Sequence, residues 1–315
     1  AFAQAMGFTK ASVSSGAEKP QYFTASTVSD MRVLASQKPP KQMVGSFIRE
    51  KENAILFAST NAGKSVLALQ IARAIARGES ITELLPNEVE PQRTVLFDFE
   101  LSREQMAQRI KGALSDEPNL TFFHPSGDVY ASPDEVCKHI EDAIVRTQAK
   151  FAVIDNISML AYDNESAADA KILLSKLKDI RQRNDLTLLI VGHSPKRPRT
   201  QSIQVKDLAG SAMVGNMFDA VFALNWSSNG SQCRYLKQLK IRTGEYQFGE
   251  ESVLSCSITA NDTDGVFFEF QSTSHEREHL EVFVDTDSRD AEIHGLARKG
   301  LSQREIASMV GLGKS

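Results

Sequence analysis

The sequence predicts an α/β fold: a mostly parallel sheet covered by helices on both faces, with an antiparallel β extension and a small α-helical C-terminal tail. Three observations carry this. The runs AILFA at 54–58, TVLFDF at 94–99, FAVI at 151–154 and LTLLIV at 186–191 are almost continuously apolar. Strands buried on both faces read this way, whereas half-exposed strands alternate. Amphipathic stretches long enough for helices separate the runs, which is the rhythm of crossover-connected parallel strands. After residue 220 the apolar runs follow one another in hairpin-like succession, and the sheet is expected to turn antiparallel there.

In chain order, residues 1–21 are rich in Ala, Ser and Gly without a sustained period and read as a flexible tail. A short helix is expected around Val28–Leu34, and Pro39-Pro40 then breaks the chain. Met43, Val44, Phe47 and Ile48 read as a strap laid against the core before the first strand, Ala54–Ala58. The helix that follows has apolar residues at Val66, Leu67, Leu69, Ile71, Ala72 and Ile75. Pro86 and Pro91 bracket a surface loop before the second strand, Thr94–Phe99, which ends at Glu100. Ser102 is placed to cap a helix running to about Leu114. Leu120–Phe123 is a short strand. Ser132-Pro133-Asp134-Glu135 opens a helix with proline at its first position and acids in its first turn, striped by Val136, Ile140 and Ile144. Phe151–Ile154 is the third buried strand, closed by Asp155. A helix carrying Ile172, Leu173, Leu177 and Ile180 leads to the fourth, Leu186–Val191, which ends at Gly192-His193. Ala220–Leu224, Tyr235–Ile241, Val253–Ile258 and Val266–Phe270 are further strands.

The most informative stretch is Glu52–Gly78, where Gly63-Lys64-Ser65 stands at the passage from a strand to a helix. That is the setting a phosphate-binding loop requires. Backbone N–H groups at a helix start face an anion there, and the helix dipole adds about half a positive charge. The nucleotide-binding residues are then Ser59, Thr60, Asn61, Ala62, Gly63, Lys64, Ser65 and Val66, with Lys64 reaching the β/γ-phosphates and the Ser65 hydroxyl ligating Mg²⁺. The pattern usually begins with glycine, and here Ala58 holds that place. Alanine does not readily adopt the φ > 0 that glycine permits.

Three further candidates stand at the C-terminal ends of buried strands, the edge at which open α/β sheets bind ligands. Asp155, after an apolar run, is placed to hold a metal, often through water. Glu100 is the better candidate to orient or deprotonate the attacking water, with Asp98 two residues earlier on the same strand face. His193, at the tip of the fourth strand, is placed to sense a γ-phosphate. Lys240 and Arg242 are two apart on a strand and project to one face. From the residues alone they read first as solvated edge-strand cations, and only second as cations acting on a neighbour's nucleotide.

Composition narrows the classes. The 315 residues carry a net charge of −4, so a nucleic-acid surface has to be a local patch. Cys137, Cys233 and Cys256 are far apart with no metal-binding spacing, which suits free thiols in a reducing compartment. No apolar run approaches 18 residues, and a cytoplasmic protein with no membrane partner is expected.

Together these motifs resemble the RecA/KaiC/DnaB-type P-loop ATPases, and most of all the RepA-type hexameric helicases of plasmids and phages. The similarity runs from about Pro39 to Phe270, through PPKQMVGSF, ASTNAGKS, FDFELS, FAVIDNISML, LLIVGHSPK, DLAGSAMVGNMFDAVFAL and LKQLKIRTGE. The resemblance implies a RecA-like ATPase domain over residues 31–273, after a tail at 1–30 and before a linker and helical segment at 274–315. It implies ATP and Mg²⁺, a catalytic Glu100, a metal-associated Asp155 and a γ-phosphate sensor at His193. It also implies a homo-oligomeric ring, commonly of six, in which Lys240 and Arg242 reach into the neighbouring subunit's site. After His193, the segment SPKRPRTQSIQVK offers Lys196, Arg197, Arg199 and Lys206, with no acid between Leu186 and Lys206. Such a segment suits a phosphate backbone read without sequence preference, single-stranded DNA above all. The similar family position holds a DNA-contacting loop in several members. Residues 291–311 resemble the first two helices of a helix-turn-helix, whose recognition helix would begin where this sequence stops. Three readings follow: a ring helicase of a plasmid or mobile element driven by ATP hydrolysis, an ATP-switched DNA-binding initiator or regulator without unwinding activity, and a KaiC-like signalling ATPase with no nucleic-acid partner, against which the acid-free basic segment speaks.

Overall fold

A computed structural model of the chain describes residues 25–36, 38–110, 117–126, 132–156, 167–208, 212–262, 264–281, 293–299 and 301–309. The N-terminal tail to residue 24, the expected continuation to Leu114 of the helix after Ser102 and the last residues of the helical tail lie outside them. The chain forms two units, Ala1–Pro39 and Pro40–Ser315. In the first, helix α1 (Val28–Ala35) opens with a capping box in which the Thr27 hydroxyl accepts from the Asp30 amide and the Asp30 carboxylate accepts from the Thr27 amide.

The apolar runs become strands of the second unit. They are β3 (Asn53–Ala58), β4 (Thr94–Asp98), β5 (Leu120–Phe123), β6 (Phe151–Asp155), β7 (Thr187–His193) and β8 (Ala220–Trp226), followed by β9 (Cys233–Ile241), β10 (Val253–Asn261) and β11 (Gly265–Ser274). They form one sheet in the order β11-β10-β9-β8-β3-β7-β6-β4-β5. From β8 to β5 every neighbour is parallel, and β9, β10 and β11 add on antiparallel beside β8. The expected strap is a small antiparallel pair, β1 (Gln42–Val44) with β2 (Ile48–Arg49). Phe47 beside it is buried, stacked on Phe248 at 5.1 Å between ring centroids.

The strands divide their side chains between two cores with the period of two that a pleated strand imposes. Leu56, Leu96, Val153, Leu189 and Phe222 face the core that includes Leu67, Ile71 and Ile75 of α2 (Lys64–Arg77). Ile55, Val95, Ile154, Ile190 and Val221 face the other, built with Ile140 and Ile144 of α4 (Pro133–Thr147) and Leu173, Leu177 and Ile180 of α5 (Ala167–Arg183). Burying each such side chain contributes roughly 1.5–3 kcal/mol, and a sheet covered on both faces explains the continuous apolar runs.

Several strands outrun their apolar stretches. β7 continues through Gly192-His193 because His193 pairs in the ladder with Ala58, and β8 continues to Trp226, which pairs with Arg234. Helix α3 (Arg103–Arg109) starts at Ser102 as expected, with a capping box to Gln105. Helix α6 is a single turn, Ala212–Gly215. In the C-terminal segment, residues 293–298 and Gln303–Met309 are helical, and Ser302 and Glu305 close the expected capping box. No helix among the described residues is long and apolar enough to cross a membrane.

Candidate functional site

The turn from β3 into α2 is built for close approach of an anion. Ala58 lies within the β3 ladder, fully buried and paired with His193 and Leu224, so the replaced glycine is not needed for a left-handed turn there. Positive φ falls instead on Asn61 (62°) and Gly63 (103°). Gly63 has a second constraint, since a Cβ on it would stand 2.7 Å from Cζ of Phe268 on β11. Gly63 is the N-cap of α2 and supplies no side-chain cap. The first-turn N–H groups, which have no intrahelical acceptor, therefore face whatever sits over the loop.

Around this turn four strand ends bring their polar residues together. Nζ of Lys64 lies 3.1 Å from Nδ1 of His193, and Nε2 of His193 lies 3.0 Å from Oε1 of Glu100. Lys64 can only donate, so Nδ1 accepts and the ring proton sits on Nε2, facing Glu100. Lys64 is buried, and burial pulls its ammonium below the usual lysine range while Glu100 and Asp155 oppose that shift. His193 thus bridges Lys64 and the candidate base Glu100. Of the sequence-predicted residues, Lys64, Ser65, Glu100, Asp155 and His193 are assembled at one edge of the sheet, from the start of α2 and the ends of β4, β6 and β7.

Asp98 and Asp155 are register partners on β4 and β6, both buried. Oδ1 of Asp98 accepts from the amides of Glu100 at 2.9 Å and Leu101 at 2.8 Å, so it shapes the exit from β4. Burial pushes the Asp155 carboxyl up to about 6, the Ser65 hydroxyl that hydrogen-bonds it acts the other way, and Asp98 and Glu100 add like-charge repulsion. Oδ2 of Asp98 and Oδ1 of Asp155 are buried without a hydrogen-bond partner. Two orphaned carboxylate oxygens beside a hydroxyl fit a hydrated divalent cation of the Mg²⁺ kind. The clefts of 350 and 520 Å³ elsewhere on the surface are lined by none of residues 58–66, so chemistry rather than concavity marks this site.

Lys240 and Arg242 do not join the cluster. They stand at the far end of β9, where Ile241 pairs with Ala220 at the start of β8, opposite the edge that carries the phosphate loop. Lys240 donates to the Gly215 and Asn216 carbonyls, and Arg242 pairs with Asp219 at 2.9 Å. In the basic segment, Lys196 and Lys206 are exposed and without an ion pair among the described residues. Arg197 turns inward, 3.3 Å from Asp207 and donating to the Ser202 carbonyl. Arg199 is half exposed and 3.5 Å from Glu281. Acids placed just after the segment, or brought to it by the fold, thus answer two of its four cations.

Two residues escaped the sequence. The Asn156 amide donates to Glu100 and lies 2.6 Å from Nε2 of His193, a role marked only by its position after Asp155. Arg234 donates through Nε to the Ala62 carbonyl of the phosphate loop at 3.1 Å. It is the second residue of β9, remote in sequence from the loop, and nothing in its neighbourhood signals that contact.

Comparison with known proteins fits this geometry. No curated protein matches the chain. Among solved structures, the KaiC-like protein of the hyperthermophilic archaeon Pyrococcus horikoshii OT3 superposes with a TM-score of 0.52 at 17% identity, over 73% of this chain and all of that one. That likeness supports a RecA/KaiC-type fold. The AAA domain family matches residues 18–199, more than half of the chain and the whole stretch from the phosphate loop through His193. The chain belongs to the AAA domain family.

Proposed function

We propose that this chain is an ATPase that works on single-stranded DNA as a RepA-like ring helicase of a plasmid or mobile element. The observation that carries the ATPase part is the convergence of Lys64, His193, Glu100 and the Ser65–Asp155 pair at one edge of the sheet. In this reading the α2 N-terminus and Lys64 bind the β- and γ-phosphates. Ser65 and Asp155 hold Mg²⁺, which when bound supplies charge neutralisation at the phosphates. Glu100 orients the attacking water and accepts its proton, with Asn156 and His193 fixing the carboxylate. His193, touching both Lys64 and Glu100, reports the γ-phosphate to the base. Catalysis is then mostly positioning and charge stabilisation.

Lys240 and Arg242 serve the site of a neighbouring subunit, since they stand at the strand end opposite their own. The ring is a proposal from the resemblance and from this placement. DNA contact is assigned to Lys196, Arg199 and Lys206, with Arg197 shaping the segment. The two C-terminal helices, the second of them capped, favour the second reading, an ATP-switched DNA-binding regulator, because a motor indifferent to sequence has no need of them.

ATP hydrolysis measured with and without single-stranded DNA, beside Glu100→Gln, separates the two. Strong stimulation that disappears in Glu100→Gln, with strand separation, supports the helicase. Tight ATP binding with slow, DNA-indifferent turnover and a preference for duplex overturns it in favour of the switch.

A further inference from the structure

Arg234 is a buried cation, 3% exposed, with no carboxylate partner among the described residues. Its guanidinium is spent on carbonyls: Ala62 at 3.1 Å, Ser231 at 2.9 Å and Cys233 at 2.8 Å. Burial brings it down to about 10, an unusual direction for an arginine and a sign of how little water reaches it. Across the ladder its register partner is Trp226, with the guanidinium carbon 3.3 Å from the ring centroid. A second guanidinium, that of Arg199, lies 4.7 Å from the same ring. One aromatic ring therefore touches the cation that holds the phosphate loop and a cation of the basic segment. Cation–π contacts are electrostatic, so moving either cation changes the hold on the other.

We propose that Trp226 and Arg234 are positioning residues that couple the basic segment to the phosphate loop. An anionic strand that draws Arg199 off the ring leaves Arg234 as its only cation and firms its hold on the Ala62 carbonyl, which tightens nucleotide binding. By linkage the nucleotide tightens strand binding equally. The inference rests on the reading of residues 195–206 as a DNA contact, and it assigns the residues that carry the message.

Trp226 is the sole tryptophan of the chain, so its emission reports the ring directly. The experiment measures the affinity of the full chain for MgADP with no strand and with saturating oligo(dT), and measures oligo(dT) binding separately. Wild type should bind ADP about fivefold more tightly with the strand, and Trp226 emission should shift as the strand binds. Trp226→Leu should bind both ligands with the coupling factor reduced to one. Should that variant fail to fold, Trp226→Phe, which keeps a ring, should retain the factor, and Arg199→Gln at saturating strand should lose it. A factor of one in wild type, or a factor unchanged in Trp226→Leu or Arg199→Gln, overturns the proposal. A strand that fails to bind wild type overturns the DNA reading together with it, whereas binding without coupling overturns the proposal alone.

Discussion

Asp155 sits where a carboxylate is least comfortable without a cation. Its ordinary value of 3.8 is pushed up to about 6 by burial, so the folded state holds the proton more tightly than the unfolded chain. Stability from this group is full below 3.8, falls as pH rises toward 6, and remains reduced above it. Asp155→Asn removes that penalty. At pH 7.5 and without Mg²⁺ the variant should melt a few degrees higher than wild type, a gain on the order of 1 kcal/mol or more. Adding Mg²⁺ should raise the wild-type melting temperature and leave the variant unmoved, a trade of stability against function that thermal melts can check. Lys64, Glu100, Asp155 and His193 were legible in the sequence because each closes or follows an apolar run, and topology gathers the C-terminal ends of parallel strands. Asn156 and Arg234 were not, because their contacts depend on side-chain reach and on the register of strands far apart in the chain.

At the scale of elements, the segment after β7 is held by its far end. The buried carboxylate of Glu276 accepts from the Ile203 amide at 3.0 Å, from the Tyr235 hydroxyl at 2.8 Å and from the Ser202 hydroxyl, and pairs with Lys237. Burial alone would raise Glu276, but hydrogen bonds from Lys237, Ser202 and Ile203 outweigh it and hold the group below the usual glutamate range. The stabilisation is thus present above the ordinary glutamate value and is lost as pH falls through the depressed one. Glu276→Gln, which strands Lys237, should cost about 3 kcal/mol or more, and adding Lys237→Met should recover part of it. Chemical denaturation of the two variants at neutral pH decides this. Nothing in the sequence marked the anchor, since the basic run reads as uniformly cationic until Asp207, Glu276 and Glu281 are folded against it. The sheet itself was readable almost strand by strand. The errors lie at strand ends, where His193 and Trp226 pair in the ladder without being part of the apolar runs.

For the whole molecule, the register of β8 with β9 separates Arg242, beside Asp219, from Leu224 at the phosphate-loop edge by five positions along β8, roughly 17 Å. That span separates the cation from the phosphate-loop edge of its own chain, and under the proposed ring it would exchange Asp219 for a neighbour's nucleotide. Chains carrying Lys64→Ala and chains carrying Arg242→Ala should each be inactive alone, and mixing them should restore a measurable fraction of turnover, because some interfaces then combine two intact halves. A mixture as inactive as its components would remove the trans role. All of this rests on the strand-edge cluster hydrolysing ATP. Phosphate release from MgATP by the purified chain, beside Lys64→Ala, tests that most directly. The account predicts steady turnover in wild type and a loss of about a thousandfold in the variant, whereas equal rates in the two would contradict it.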